Sequence, residues 1–186
     1  MEIISKYRVY REDCLLLIID LQEKLMVAMK DRERVFKNTK ILLTAAKEFA
    51  LPVILSEQYP KGLGTTVTPI KENLPENFIY VEKTSFSLCG AGILDILATK
   101  RQKTIIIAGS ETHVCVFQTV RDLVEAGYNV HVASDAVCSR FEENYKNSLA
   151  LMSELGAVVS NTETIVFDLL QYAGTPQFKA LSSIIK

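Results

Sequence analysis

The stretch Lys103–Gly127, KTIIIAGSETHVCVFQTVRDLVEAG, decides the fold. Thr104, Ile105, Ile106 and Ile107 form a β-branched run without a polar break, the pattern of a strand buried on both faces of a parallel sheet. Ala108, Gly109 and Ser110 read as a tight turn. From Val114 onward, Val114, Phe117, Val120, Leu123 and Val124 recur at helical spacing, and Gly127 stops the helix. Cys115 stands at the mouth of this strand–turn–helix. A thiol in the first turn of a helix faces unpaired N–H groups and the positive end of the macrodipole, which favours the nucleophilic thiolate. The competing reading is a small buried core residue, since free cysteines pack well in interiors.

Working outward, Cys14–Ile19 (CLLLII) is a continuously apolar strand that ends in Asp20. Residues 51–55 make a second strand closed by Ser56, Glu57 and Gln58, and residues 78–81 a third that runs into Glu82, Lys83, Thr84, Ser85 and Phe86. Residues 130–133 supply the fifth strand. Ala157, Val158 and Val159, with Thr164 to Phe167 after them, offer the sixth. Helical stripes fall at 34–49, around 92–99 and at 142–155, and a weakly marked helix lies near the C-terminus. Residues 59–75 hold three prolines, two glycines and three threonines, a long loop of the kind that usually carries function. Strands alternating with helices predict an α/β three-layer sandwich of about six mostly parallel strands with helices on both faces. No composition shift or repeat divides the chain, so residues 1–186 are expected to form a single domain.

The 186 residues carry a formal net charge of −1, with 21 basic and 22 acidic side chains, and no basic tract is present. Nucleic acid is therefore not an expected partner. No apolar run approaches a membrane span, and residues 1–13 lack the order of a signal peptide. Four scattered cysteines without a CxxC pair suit a reduced compartment, so a cytoplasmic protein is expected.

In open α/β sheets, reactive groups gather beyond the carboxyl ends of the strands, where strand order reverses. Asp20, Lys83 and Cys115 occupy that edge after the first, third and fourth strands. Each alone has a mundane explanation: a turn cap, a solvated cation, a core thiol. Together they supply complementary chemistry, because a thiolate attacks, a carboxylate moves the proton and an ammonium holds the carboxylate. Nucleotide-binding GxGxxG and GxxxxGK[ST] loops are absent after the first strand, and Gly109-Ser110-Glu111 does not make a GxSxG elbow. His113 is two positions from Cys115, which on a helix points it elsewhere.

LLLIIDLQ around Asp20, VEKTSFS around Lys83, IIIAGSETHVCV around Cys115 and SDAVCSRFEENYKNSLALMSELGAVV resemble the isochorismatase-like cysteine hydrolases in that order, over nearly the whole chain. The resemblance implies an isochorismatase-like, Rossmann-like fold, with Cys115 as nucleophile, Asp20 as general base and then acid, and Lys83 as charge partner. It also implies a cis peptide at Ser110-Glu111 that aims the N–H groups of Glu111 and Cys115 at an oxyanion. Gln22 and Tyr59 flank this edge as candidate substrate-binding residues. One departure is informative. Nicotinamidases of this superfamily carry an Asp-x-His metal pair after the second strand, where this chain reads Glu57-Gln58-Tyr59. A catalytic zinc needs about three protein ligands, so no metal and no other cofactor are expected, and nicotinamide becomes a poorer candidate substrate.

The expected function is metal-independent hydrolysis of a C–N bond in a small amide, carbamoyl or related carbonyl substrate, through an acyl-enzyme on Cys115. Isochorismate hydrolysis in the same superfamily attacks a vinyl ether without the cysteine, so the fold alone does not fix the reaction. The alternative is a weakly catalytic or non-catalytic protein that keeps the fold for assembly or partner binding. The resemblance further implies a homo-oligomer.

Overall fold

Residues 4–185 are described by a computed structural model, and their six strands form one sheet in the order β3-β2-β1-β4-β5-β6. In chain order the elements are β1 (Cys14–Ile19), α1 (Glu23–Val27), α2 (Arg32–Glu48), β2 (Val53–Gln58), α3 (Pro60–Leu63), α4 (Thr68–Lys71), β3 (Ile79–Lys83), α5 (Ile93–Ala98), β4 (Thr104–Ser110), α6 (Phe117–Glu125), β5 (Asn129–Cys138), α7 (Glu142–Glu154), β6 (Val158–Ser160), α8 (Thr162–Leu170) and α9 (Pro176–Ile185). Every neighbouring pair of strands is parallel. The expected α/β architecture is thus found, with all strands parallel.

The β1 run is apolar throughout because each of its faces is covered. Leu16 and Ile18 join the cluster formed with α2, α8 and α9, whereas Leu15, Leu17 and Ile19 join the cluster formed with α5, α6 and α7. The same alternation divides Ile106 and Ala108 from Ile105 and Ile107 on β4. In α2, the longest helix, the buried positions Val35, Thr39, Leu42 and Ala46 recur at helical spacing and form the face laid on the sheet.

Three expectations change. The segment 108–110 is not a turn but the end of β4, which runs on to Ser110. Gly109 (φ 144°) allows this, since a Cβ there would lie 2.2 Å from the Ile19 carbonyl oxygen of β1. The 164–167 segment belongs to helix α8, not to the sixth strand. The Asn161 side chain caps it by accepting from the Thr164 N–H at 2.8 Å, and Asp135 Oδ1 accepts from the Thr162 N–H at 2.8 Å. Two polar caps reading the first turn outweigh the β-branched composition of TETIV. The 59–75 loop, finally, contains the single-turn helices α3 and α4.

Strand order turns back at β1 and β4, whose connections leave the sheet in opposite directions, so their carboxyl ends open a crevice. Among the described residues, no helix is long and apolar enough to cross a membrane.

Candidate active site

Asp20 follows β1 directly, in left-handed backbone conformation (φ 50°), and its side chain is fully buried. Lys83 is the last residue of β3, two strands away from β1, and its side chain is fully buried too. Its Nζ donates to Asp20 Oδ2 at 2.6 Å. The pair therefore spans β2, and the space beneath it is filled by two β2 side chains. Ser56 Oγ donates to Asp20 Oδ1 at 2.7 Å, and Gln58 Oε1 accepts from Lys83 Nζ at 2.6 Å. The Ser85 carbonyl accepts a third, longer bond from Lys83 Nζ at 3.4 Å. An ammonium has three protons, and three oxygens lie within reach of it here. Ser110, at the end of β4, donates from Oγ to the Asp20 carbonyl at 2.8 Å and so ties β4 to the same corner.

Cys115 comes from the other side of the crevice. The chain after β4 does not enter an α-helix at once. Thr112–Val116 form a π-helical turn, closed by the Val116 N–H donating to the Glu111 carbonyl at 3.2 Å, and α6 begins only at Phe117. Single π turns of this kind are frequent at functional sites. The peptide between Ser110 and Glu111 is cis. Cys115 is 6 % exposed, and its thiol is under the electrostatic and hydrogen-bonding influence of both Asp20 and Lys83. Burial pushes the thiol up to about 12; the Asp20 carboxylate adds to the rise and the Lys83 ammonium opposes it. Burial thus acts against the thiolate that the helix N-terminus favours.

The remaining sequence candidates fall into place around this core. Glu111 is buried, and its Oε2 accepts from the Arg140 backbone N–H at 3.0 Å and from Arg140 Nε at 3.1 Å, which pins the turn before Cys115 to the β5–α7 loop. Gln22 does not present its amide to a ligand. Its Oε1 accepts from the Gln58 N–H at 2.7 Å, and its Nε2 donates to the Gln58 and Gly64 carbonyls at 3.0 and 2.7 Å. The expected substrate contact is therefore replaced by a clamp on the tip of β2, since the amide's oxygen and both of its N–H groups are bonded to backbone. Tyr59 is exposed, with its backbone left-handed (φ 38°) and its N–H donating to the Lys83 carbonyl at 2.8 Å. His113 faces Ser139 and Asn144, with Nδ1 3.0 Å from Ser139 Oγ.

Ser56, Gln58 and Arg140 were not marked by the sequence reading. A signal for the first two existed: Ser-Glu-Gln continues a strand that stays buried to its end, and buried polar strand residues demand partners. Glu57, on the opposite face, confirms the alternation. Its Oε1 accepts from Thr66 N–H and Oγ1 at 2.6 and 2.7 Å, and its Oε2 from the Tyr80 hydroxyl at 2.9 Å. Among the described residues no group of three or more His, Cys, Asp and Glu could hold a metal ion.

A buried carboxylate, ammonium and thiol at the switch point of an all-parallel sheet place this chain in the class of isochorismatase-like cysteine hydrolase folds. The chain belongs to the isochorismatase family: the model of the isochorismatase domain matches residues 14–164. It is 35 % identical to the secreted isochorismatase effector Isc1 of Phytophthora sojae, over 96 % of this chain and 87 % of that protein. Among solved structures it is similar to the MAR1 ribonuclease of Caenorhabditis elegans, with a TM-score of 0.90 and 37 % identity over 96 % of this chain and 92 % of that one. The Escherichia coli YcaC gene product, an octameric hydrolase of unknown specificity, shares the fold with a TM-score of 0.89 and 24 % identity, covering 95 % and 90 % of the two chains.

Proposed function

We propose that this protein, read as one domain, is a metal-independent cysteine hydrolase of a small amide, carbamoyl or related carbonyl compound. The observation that carries the reading is the buried 2.6 Å Lys83–Asp20 ion pair acting on the Cys115 thiol. An exposed structural salt bridge needs no such burial, and a core thiol needs no charged neighbours. Asp20 takes the thiol proton as the sulfur attacks the carbonyl carbon and the π electrons move onto oxygen. The N–H groups of Glu111 and Cys115 serve as the donors to that oxyanion. When the tetrahedral intermediate collapses, Asp20 returns the proton to the leaving nitrogen and the C–N bond breaks, leaving a thioester on Cys115. Water, deprotonated by Asp20, then releases the acid and restores the thiol. Lys83 holds the Asp20 carboxylate in place between steps, and the raised thiol suits a mechanism in which proton transfer accompanies attack. Tyr59, half exposed beside the Lys83 strand end, is the substrate-facing residue in this reading.

The test is a panel of small primary amides, carbamoyl amino acids and RNA, assayed with wild type and Cys115→Ala, with intact-mass detection of an acyl adduct. Cys115→Ala should lower amide hydrolysis by about 1000-fold or more. Full activity in that variant would sink the mechanism. A protein that hydrolyses nothing on the panel, and whose Cys115 alkylates no differently after Asp20→Asn, would support the assembly role instead. Self-association is part of the proposal: Tyr59, Phe86 and Phe141 are exposed aromatics. Light scattering on the purified protein checks it.

A further inference from the structure

An ion pair that reaches across an intervening strand needs something to set its geometry. β2 lies between β1, which ends at Asp20, and β3, which ends at Lys83, with Ser56 in register with Val81 and Gln58 with Lys83. Ser56 and Gln58 are two residues apart, so both side chains project from the same face of β2. Each contacts one member of the pair: Ser56 donates to the carboxylate and Gln58 accepts from the ammonium. Gln58 is itself immobilised, with its Nε2 donating to the Thr84 carbonyl at 2.8 Å and its backbone held by Gln22 on both N–H and carbonyl. Ser56 is likewise fixed, because its carbonyl accepts from the Asp20 N–H at 3.2 Å.

We infer that Ser56 and Gln58 are positioning residues that hold Asp20 and Lys83 in the one arrangement able to take the proton of Cys115. The inference rests on the reading of Cys115 as a nucleophile. Held by Lys83 at Oδ2 alone, the Asp20 carboxylate could pivot about that contact; the Ser56 bond to Oδ1 removes the freedom. With Gln58 in place the ammonium is held by two acceptors, Asp20 Oδ2 and Gln58 Oε1, each at 2.6 Å. Neither residue needs to touch substrate.

The experiment needs no substrate. Full-length protein is alkylated with iodoacetamide at one fixed pH, and the rates at Cys115 and Cys89 are followed separately by peptide mass. Cys89 is half-buried and outside the triad, so it reports general loosening. Asp20→Asn tests the underlying reading: it removes a charge that raises the thiol but also the base that takes the proton during attack, and the loss of the base should lower the Cys115 rate, whereas a faster Cys115 would bring that reading down. Ser56→Ala and Gln58→Met should each lower it about tenfold, the effect of losing one hydrogen bond to a charged group, with the Cys89 rate unchanged. Ser56→Thr, which keeps the hydroxyl, should restore the Cys115 rate to within about twofold of wild type. Gln58→Glu, close in size, should lower the Cys115 rate by drawing the ammonium away from Asp20, and it stands in should the Met variant fold poorly. If Asp20→Asn slows Cys115 while Ser56→Ala, Gln58→Met and Gln58→Glu do not, the positioning role is overturned and the nucleophile reading survives. If the alanine and methionine variants accelerate Cys115 and Cys89 together, the two residues only pack the strand and the inference also fails. No response to Asp20→Asn would bring down both.

Discussion

The two sides of the switch point are built differently. On the β1–β3 side, Asp20, Ser56, Gln58 and Lys83 are all buried, and their polar side chains are bonded to one another or to the backbone. On the β4–β5 side, the register of the two strands jumps between Ile107 and Gly109. There Arg34 donates to the Ser134 and Val137 carbonyls, and Arg140, 54 % exposed, holds Glu111. A half-open cavity of about 700 Å³, lined by Arg34, Ser139, Arg140 and Tyr145 among others, lies on this side, away from the Asp20–Lys83 pair. The charges that would drive chemistry thus sit where water is excluded and Coulombic forces are strong, while the wet side supplies the backbone of the Cys115 turn. The comparison teaches that one salt bridge in this site should matter to stability and another, of similar length, should not.

The largest effect is expected at the seam between the two sides. Gly109→Ala puts a Cβ 2.2 Å from the Ile19 carbonyl oxygen at φ 144°, and should cost more than about 4 kcal/mol, seen as loss of cooperative unfolding. A normal urea transition in that variant would mean the β1–β4 contact can relax, and the seam is softer than described. Next comes the closed side. Lys83→Met strands a buried carboxylate and should destabilise by about 3–5 kcal/mol, most of it recovered in the Lys83→Met/Asp20→Asn double variant. If single and double variants unfold at the same urea midpoint, the pair is not the closed unit it appears.

A third measurement sharpens how dry the interior is. The thiols of Cys14, Cys115 and Cys138 are all pushed from 9.0 to about 12, by burial first. Folding therefore holds protons that the unfolded chain would release. The stability this contributes is complete below pH 9 and is lost as pH rises toward 12, and the thiols in Cys14→Ala and Cys138→Ala no longer take part in that loss. A urea midpoint that falls no more steeply over this window in wild type than in the alanine variants would contradict it. The smallest effect is expected on the wet side: Arg140→Ala should cost no more than about 1 kcal/mol, because the guanidinium is largely solvated and the backbone N–H of residue 140 still binds Glu111. A loss matching that of Lys83→Met would erase the distinction between the two sides.

Much of this was legible in the chain. The apolar runs at 14–19 and 104–107 are long enough to signal strands with both faces covered, and Asp20, Lys83 and Cys115 follow their strands closely enough to be placed at one edge. The misread segments share a cause. Thr164–Phe167 has strand-like composition, but the caps that make it helical come from Asn161 and from Asp135, far away in sequence. Gly109-Ser110 looks like a turn because glycine usually punctuates, whereas here its missing Cβ admits the Ile19 carbonyl of a neighbouring strand. Gln22 flanks the crevice edge in sequence, and only the path of the 59–75 loop shows that backbone already occupies its amide.

The sequence by itself determined the strand–helix alternation, the three chemical groups and their order, because these depend on local periodicity and on residue type. The tertiary structure decided what those groups are to one another. Strand order places β2 between Asp20 and Lys83, so two unremarked polar residues come to hold the pair, and the closing of α5, α6 and α7 over that face buries Cys115 and pushes its thiol up. Register and desolvation are sums over residues far apart in the chain, and no local window contains them.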